Sequence, residues 1–461
     1  MIAVPAVVIA APASGSGKTT VTTGLIGALR NAGHAVAPFK VGPDYIDPGY
    51  HALAAGRPGR NLDPNLVGEQ LIPSLYRAGS RGADIAVVEG VMGLFDGRIR
   101  PESAAEGFGS TAHVATLLGA PVILVVDVAG HSQSVAALLH GFLAFDAAVH
   151  VAGVILNRVG SARHEEVVRA AAESVGLPVV GVLRRDDSLS VPSRHLGLIP
   201  AAERSPEARA AVAAMTGLAA ASIDLAAVAG LARTTVTAAP WSAATEVGEP
   251  VPGGPVVAMA AGPAFTFGYP EHAELLAAAG ARVVEFDPLT ESLPVGTSAL
   301  VLGGGFPEEH TTTLSANEPL RTAVRAHVMA GRPVHAECAG YLYLTAGVTR
   351  AGRPGAQLVG ALPVTAEFGA RLTLGYRDAV ALADSVLYRA GDRVTGHEFH
   401  RSTVGVGPDP AWGWQAGGPQ VDGCILRGVH ASFLHVHPAA VPAAMKRFVT
   451  AAGAAAATSE G

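Results

Sequence analysis

Buried-strand patterns alternate with helical patterns along the first half of the chain. Val4–Ala10, Ala35–Lys40, Ile85–Glu89, Val122–Val128 and Val151–Leu156 are continuous apolar runs rich in β-branched residues. Such runs read as strands covered on both faces. Between them Val21–Asn31, Ala112–Leu118, Ser132–Leu143 and Arg163–Val175 carry helical periodicity. The alternation predicts an α/β fold with a mostly parallel sheet.

The pattern breaks at Thr234–Gly254, a stretch of Pro, Gly, Ser and Thr without periodicity that predicts a linker. A second α/β pattern follows. It runs through a strand at VVAMA from Val256, a helix over Tyr269–Gly280, strands at ARVVEF and ALVLGGG, a helix over Glu318–Gly331 and a strand at PVHAEC. The small-residue end, AAGAAAATSEG, predicts a frayed tail. The expected organisation is a first domain over 1–235, a linker over 236–254, a second domain over 255–450 and a flexible tail over 451–461.

Bulk properties narrow the class. A chain of 461 residues exceeds one core and calls for about two or three domains. With 49% hydrophobic and 15% charged residues and a mean hydropathy of +0.35, it reads as an enzyme and not a disordered chain. The net charge of −6 and the absence of a basic block argue against a nucleic-acid partner. Gly, Pro, His or a charge interrupts every apolar run before membrane-spanning length. MIAVPAVVIAAP has no basic leader, so it reads as the first strand and not a signal peptide, and the expected compartment is the cytoplasm. The two cysteines, Cys338 and Cys424, do not make a disulfide framework.

The chemistry of the first half starts at SGSGKTT, between a strand and an apolar-periodic helix. There Ser14, Gly15, Gly17, Lys18, Thr19 and Thr20 form a phosphate loop, although Pro12 stands where the usual pattern has glycine. Backbone N–H groups and the helix N-terminus cradle phosphates, Lys18 reaches the outer ones, and Thr19 offers a hydroxyl to magnesium. In KVGPDYIDPGYH, Asp44 and Asp47 suit metal or metal–phosphate work, with turn and cap chemistry as the plain alternative. Glu89 ends a strand, where the ligand crevice of a parallel sheet lies, and completes the expected metal set of Thr19, Asp47 and Glu89. Asp96 and Asp127 are weaker candidates of the same kind, and Asn157, at another strand end, suits an adenine edge, with a local cap as the plain alternative.

The second half carries a different chemistry. Cys338 has Ala336 two residues before it and Gly340 two after, the small-residue frame of a nucleophile elbow. The helix that follows is expected to lower the thiol pKa through its N-terminus. Ala339 is one expected oxyanion donor, with Gly304 or Gly305 from LGGG as the other. ASFLHVHPAA supplies the base: His435 first, His437 in reserve, both on one side of a strand. His397, Glu398 and His400 in GHEFHRS read as wall or substrate contacts, and Cys424 as core.

SGSGKTT, KVGPDYIDPGYH with the Asn61–Asp63 tripeptide, VEGVMGLFDG, PSRHLGL at 192–198, LGGGFPE, AECAGYLYL, GHEFHRS and ASFLHVH together resemble the cobyrinic/hydrogenobyrinic acid a,c-diamide synthase family. The resemblance covers nearly the whole chain. Its first half is similar to dethiobiotin synthetase and its second to a class I glutamine amidotransferase. It implies an ATP- and magnesium-dependent ligase in cobalamin biosynthesis. Cys338, helped by His435, would release ammonia from L-glutamine through a glutamyl thioester. The a and c carboxylates of a corrinoid acid would be activated as acyl phosphates and then amidated. Asp44, Asp47, Glu89 and Asp96 match acidic positions serving magnesium, phosphate transfer or substrate, and Tyr45 and Ile46 match positions that place the corrinoid. The composition points mildly to the cobalt-free acid, and the dethiobiotin-synthetase likeness admits a homodimer. Ala11 stands where the family usually has glycine. His437-Pro438 is followed by Ala439 where ordinary class I amidotransferases have Glu, so the third triad member is missing; the resemblance implies a Cys–His pair and leaves His435 versus His437 open.

Overall fold

A computed structural model of the chain describes residues 3–99, 107–185, 193–194, 197–198, 205–350, 353–405, 407 and 409–460. Of PSRHLGL, Ser193, Arg194, Gly197 and Leu198 lie within that set, and the other three residues lie outside the described residues. The chain divides into two compact units, Met1–Trp241 and Ser242–Gly461.

The first unit is built on seven strands: β1 (Ala6–Ala10), β2 (Val36–Val41), β3 (Arg60–Leu62), β4 (Ile85–Glu89), β5 (Val122–Asp127), β6 (Val151–Val159) and β7 (Val179–Arg184). They pair in parallel in the order β3-β2-β4-β1-β5-β6-β7. The unbroken apolar runs are explained by this topology: β1 and β4 are buried at every position because both sheet faces are covered. The helix α1 (Lys18–Asn31) returns from β1, and α2 (Asp47–Ala55) follows β2. Strand order changes direction at β1, so the loop between β1 and α1 stands where open parallel sheets bind their ligands.

The second unit holds a six-stranded sheet in the spatial order Arg282–Phe286, Val256–Ala260, Thr297–Leu302, Val334–Glu337, Val429–Ser432, Cys424–Leu426. Its last pair is antiparallel and the others are parallel. A further, mostly antiparallel sheet, centred on the hairpin of Ala366–Ala381 with Arg393–Val404, was not predicted. Its long strands lack strict polar/apolar alternation, which hides them from a periodicity reading.

Two regions differ from expectation. The frayed tail is instead the end of a helix over Pro442–Glu460, because a run of alanines is strongly helix-forming. The linker region contains the helix Ala243–Val247, capped by Ser242, whose side chain accepts the Thr245 N–H. Among the described residues no helix is long and apolar enough to cross a membrane.

Candidate active site

Carboxyl ends of the parallel strands assemble the first unit's site. The chain leaves β1 and turns into α1 at Gly17, whose φ is +94. A Cβ at Gly17 would run into Asn157 Nδ2, so glycine is required there on two counts. The Ser16 hydroxyl donates to the Ala13 carbonyl at 2.9 Å and tightens the loop. Lys18 Nζ donates to the Met92 carbonyl and lies 3.5 Å from that of Ala13.

Thr19, Asp47 and Glu89 converge as the sequence predicts. Thr19 Oγ1 lies 2.6 Å from Glu89 Oε1 and 3.2 Å from Asp47 Oδ2. The ammonium of Lys40, a residue missed by the sequence reading, stands between the same two carboxylates. It is 2.6 Å from Asp47 Oδ2 and 2.8 Å from Glu89 Oε1. Buried His51 places Nε2 2.6 Å from Glu89 Oε2. The available signal was Lys40 at the end of a buried strand, a costly place for an unpaired cation.

Charge is distributed unevenly in this cluster. Burial works against the Lys40 ammonium, but Asp47 and Glu89 hold its pKa well above the ordinary lysine range. Burial likewise opposes the Glu89 carboxylate, yet Lys40 and His51 hold it well below the usual carboxylate range. Asp47 goes the other way: burial, with Asp44 adding, pushes it up to about 7. Lys18 is drawn down to about 8 by burial, with the neighbouring Lys40 charge adding. Among the described residues no group of three or more His, Cys, Asp or Glu forms a metal cage. The donor set still fits magnesium, which takes one or two carboxylates, a hydroxyl and phosphate oxygens and keeps water. A cationic group already sits among those oxygens.

Other first-unit candidates have structural work. Asp44 Oδ1 accepts the N–H groups of Ile46 and Asp47 at 2.8 and 2.9 Å, so its carboxylate closes the turn that leads into α2. Asn61 explains the Asn61–Asp63 motif, since its amide donates to the Gly42 and Asp44 carbonyls and ties down the same loop. Tyr45 and Ile46 are largely buried beside it. Asp96 Oδ2 accepts the Gly93 N–H at 2.9 Å and closes its own turn. Asn157 has structural work as well as the expected adenine contact: its amide donates to the Ser16 carbonyl at 2.9 Å and its oxygen accepts the Arg158 N–H, which uses one of its two N–H donors and one of its two lone pairs. Asn157 braces the phosphate loop. Asp127 pairs with Arg158 and accepts the Ala129 N–H.

In the second unit the strand Val334–Glu337 ends in the predicted sharp turn, with Cys338 at φ +48, a strained conformation for a residue bearing Cβ. The helix Ala339–Leu344 follows. Gly340 packs so closely under Leu302 that a Cβ would strike the Leu302 carbonyl oxygen. Backbone N–H groups of Gly305 and Ala339 are directed at the Cys338 sulfur. Gly304 is excluded as a donor because its N–H goes to the Phe267 carbonyl at 3.2 Å. The expected lowering of the thiol pKa is overturned. Burial pushes it far up, the Glu308 and Glu337 carboxylates add to that, and two N–H donors do not compensate.

The histidines also part company. His435 and His437 do not share a strand face, since the strand ends at Ser432. His435 is pinned to His397 by paired backbone hydrogen bonds of 2.8 and 2.9 Å. Its ring edges the LGGG loop, where a Cβ on Gly304 would come within 2.5 Å of His435 Cε1. His437 instead packs its ring 4.2 Å from that of Tyr269, and its Nδ1 accepts the Ala439 N–H. A carboxylate does face His435: Glu337 Oε2 lies 3.5 Å from its Nδ1. Glu398 pairs with Arg377 at 2.6 Å, and His400 stacks on Phe433 at 3.9 Å, so GHEFHRS builds wall. Cys424 is buried core.

Comparison with known proteins adds to the geometry. A model of the CobQ/CobB/MinD/ParA nucleotide binding domain matches residues 7–199, and one of the CobB/CobQ-like glutamine amidotransferase domain matches residues 256–442. The chain is 60% identical over 452 residues to a hydrogenobyrinate a,c-diamide synthase of Mycobacterium tuberculosis, covering 97% of each. It is 54% identical to the enzyme of that name from Streptomyces coelicolor, again over 97% of each. A cobyrinate a,c-diamide synthase of Gloeobacter violaceus is 42% identical over 96% of each chain.

Proposed function

Because the chain belongs to the hydrogenobyrinate and cobyrinate a,c-diamide synthase family, we propose that it uses ATP and glutamine to turn the a and c carboxylates of hydrogenobyrinate into amides. The cobalt-free acid is the proposed substrate because relatives at 60% and 54% identity carry its name, whereas the relative at 42% is named for cobyrinate.

In the second unit the Cys338 thiol gives its proton to His435 as the sulfur attacks the side-chain amide carbon of glutamine. The oxyanion settles on the N–H groups of Gly305 and Ala339. The imidazolium returns the proton to the departing nitrogen, which leaves as ammonia. Water then cleaves the thioester and glutamate departs. In the first unit the loop from Ser14 to Thr20 wraps the ATP phosphates with its N–H groups, and Lys18 meets the outer ones. A corrinoid carboxylate oxygen takes the γ-phosphoryl group, ADP leaves, and ammonia then displaces phosphate to form the amide. Lys40 adds a second fixed positive charge beside Lys18, while Tyr45, Ile46 and Asp96 border the path of the acid. Thr19, Asp47 and Glu89 would hold magnesium, which supplies charge neutralisation for the phosphates.

The observation that carries the reading is the strained turn at Cys338, with two N–H donors trained on its sulfur. Cys338→Ala should abolish glutamine-driven diamide formation and spare turnover with ammonium salts, whereas Lys18→Ala should abolish both. Mass spectrometry of the products from the cobalt-free and cobalt-bearing acids reads the outcome. Full glutamine-driven activity in Cys338→Ala would overturn the amidotransferase assignment.

A further inference from the structure

We propose that Glu337, the residue immediately before the nucleophile, is the positioning residue for His435, so that the carboxylate partner of the base comes from the nucleophile's own strand. The proposal deepens the glutaminase reading of Cys338 and rests on it. Neither histidine has a carboxylate in the place ordinary class I enzymes give it: His437 stands two residues after His435, and Ala439 two after His437. The fold fills the need from the opposite side of the site.

Four observations meet at this side chain. Glu337 Oε2 lies 3.5 Å from His435 Nδ1, while Oε1 lies 3.3 Å from His335 Nε2. Oε1 also accepts the N–H of Val436, the residue after His435, at 3.4 Å. The carboxylate therefore grips both the ring and the backbone of the segment that carries the base. His335 and Glu337 are two apart on one strand, so they share a face, and His335 steadies the oxygen that His435 does not use.

The surroundings keep the charge on the carboxylate. Burial opposes ionisation of Glu337, but the hydrogen bonds from His335 and His435 outweigh it and hold the group well below the usual carboxylate range. The other imidazoles around His335 do not compete for the carboxylate as cations. Burial, with His335 adding, draws His272 down to about 4 and His430 to about 3. Two other carboxylates of the unit are engaged elsewhere: Glu398 with Arg377 and His400, and Glu271 towards His437.

A carboxylate on Nδ1 fixes the tautomer in which Nδ1 carries the hydrogen and Nε2 is the basic atom, and it stabilises the imidazolium formed when the thiol proton arrives. The effect should fall on the chemical step and not on glutamine binding.

The test uses the full-length enzyme as Glu337→Gln, Glu337→Asp and Cys338→Ala, each assayed with glutamine and with ammonium as nitrogen donor. The expected result for Glu337→Gln is a fall of about 100-fold in glutamine-driven kcat, with KM for glutamine little changed. Glu337→Asp, which keeps the charge at shorter reach, should recover a measurable part of that kcat. If Glu337→Gln keeps glutamine-driven kcat within about threefold of the parent while Cys338→Ala loses it, the Glu337 proposal fails alone. If both Glu337 variants lose ammonium-driven turnover as well, or lose glutamine-driven turnover equally, the side chain is structural and the proposal is overturned. If Cys338→Ala itself retains glutamine-driven turnover, the reading beneath the proposal fails first.

Discussion

Lys40→Met is the perturbation that weighs the first unit's charge cluster. It keeps the length of the stem and removes the ammonium held at 2.6 Å from Asp47 and 2.8 Å from Glu89. Both Lys40 and Glu89 are buried, so water does little to screen what is left behind. Removing one partner of a buried ion pair costs about 3–5 kcal/mol, mostly through the uncompensated charge. For a unit of this size each kcal/mol moves Tm by about 2–4 °C, which gives a fall of about 6–20 °C. Differential scanning fluorimetry of the full-length chain without nucleotide measures it, following the transition that responds to ATP. Lys40→Met combined with Glu89→Gln should melt higher than Lys40→Met alone, because the second change removes the stranded carboxylate. Added magnesium should raise the Tm of Lys40→Met more than that of the parent, since the ion would restore positive charge among the same oxygens. A Tm for Lys40→Met within about 2 °C of the parent would refute the reasoning, because no buried ion pair of this geometry should vanish at so small a cost.

Gly340→Ala should lower glutamine-driven turnover and leave ammonium-driven turnover in place, because the added methyl meets the Leu302 carbonyl and forces the elbow open. The overpacking should cost about 1–3 kcal/mol, read as a fall in Tm. The ligand-free first unit should also lose stability as pH rises towards neutrality. Asp47 has a native pKa raised from 3.8 to about 7, so its contribution is complete below about 4 and is gone once pH has passed about 7. The opposite holds for Glu89, whose pKa is depressed: its contribution is present above the ordinary carboxylate range and is lost as pH falls through the lower native value. Tm measured from pH 5 to pH 8 should therefore decline in the parent and lose that slope in Asp47→Asn; an unchanged slope would show that another group titrates.

Motifs were legible where chemistry is carried by neighbours in the chain. Ser14–Thr20 needs its strand, turn and helix in succession, and the spacing of Ala336, Cys338 and Gly340 encodes the crowding of one turn. Glu89 was legible because a carboxylate ending a buried strand has few other reasons to be there. What stayed hidden depends on long-range pairing. Asn157 is far from Ser16 in sequence, and nothing local says that its amide braces the phosphate loop. The choice of Gly305 over Gly304 depends on a bridge to Phe267. The raised thiol pKa of Cys338 follows from burial, which a short helix in the sequence does not reveal.

His435 shows most clearly why a candidate base can be named from sequence while its proposed partner cannot. Its identity follows from an imidazole near the end of a strand, but its orientation depends on the bridge to His397, which lies in a sheet without a readable period. With that bridge holding the backbone, the ring faces Glu337 on the nucleophile's strand at 3.5 Å. The His335-x-Glu337 spacing was the available clue, since two polar residues on one face of an otherwise buried strand need partners across the sheet. A carboxylate search limited to residues after the histidine misses that partner because it assumes that a triad must be ordered along the chain. The requirement is geometric, and a side chain on either side of the imidazole in sequence can satisfy it.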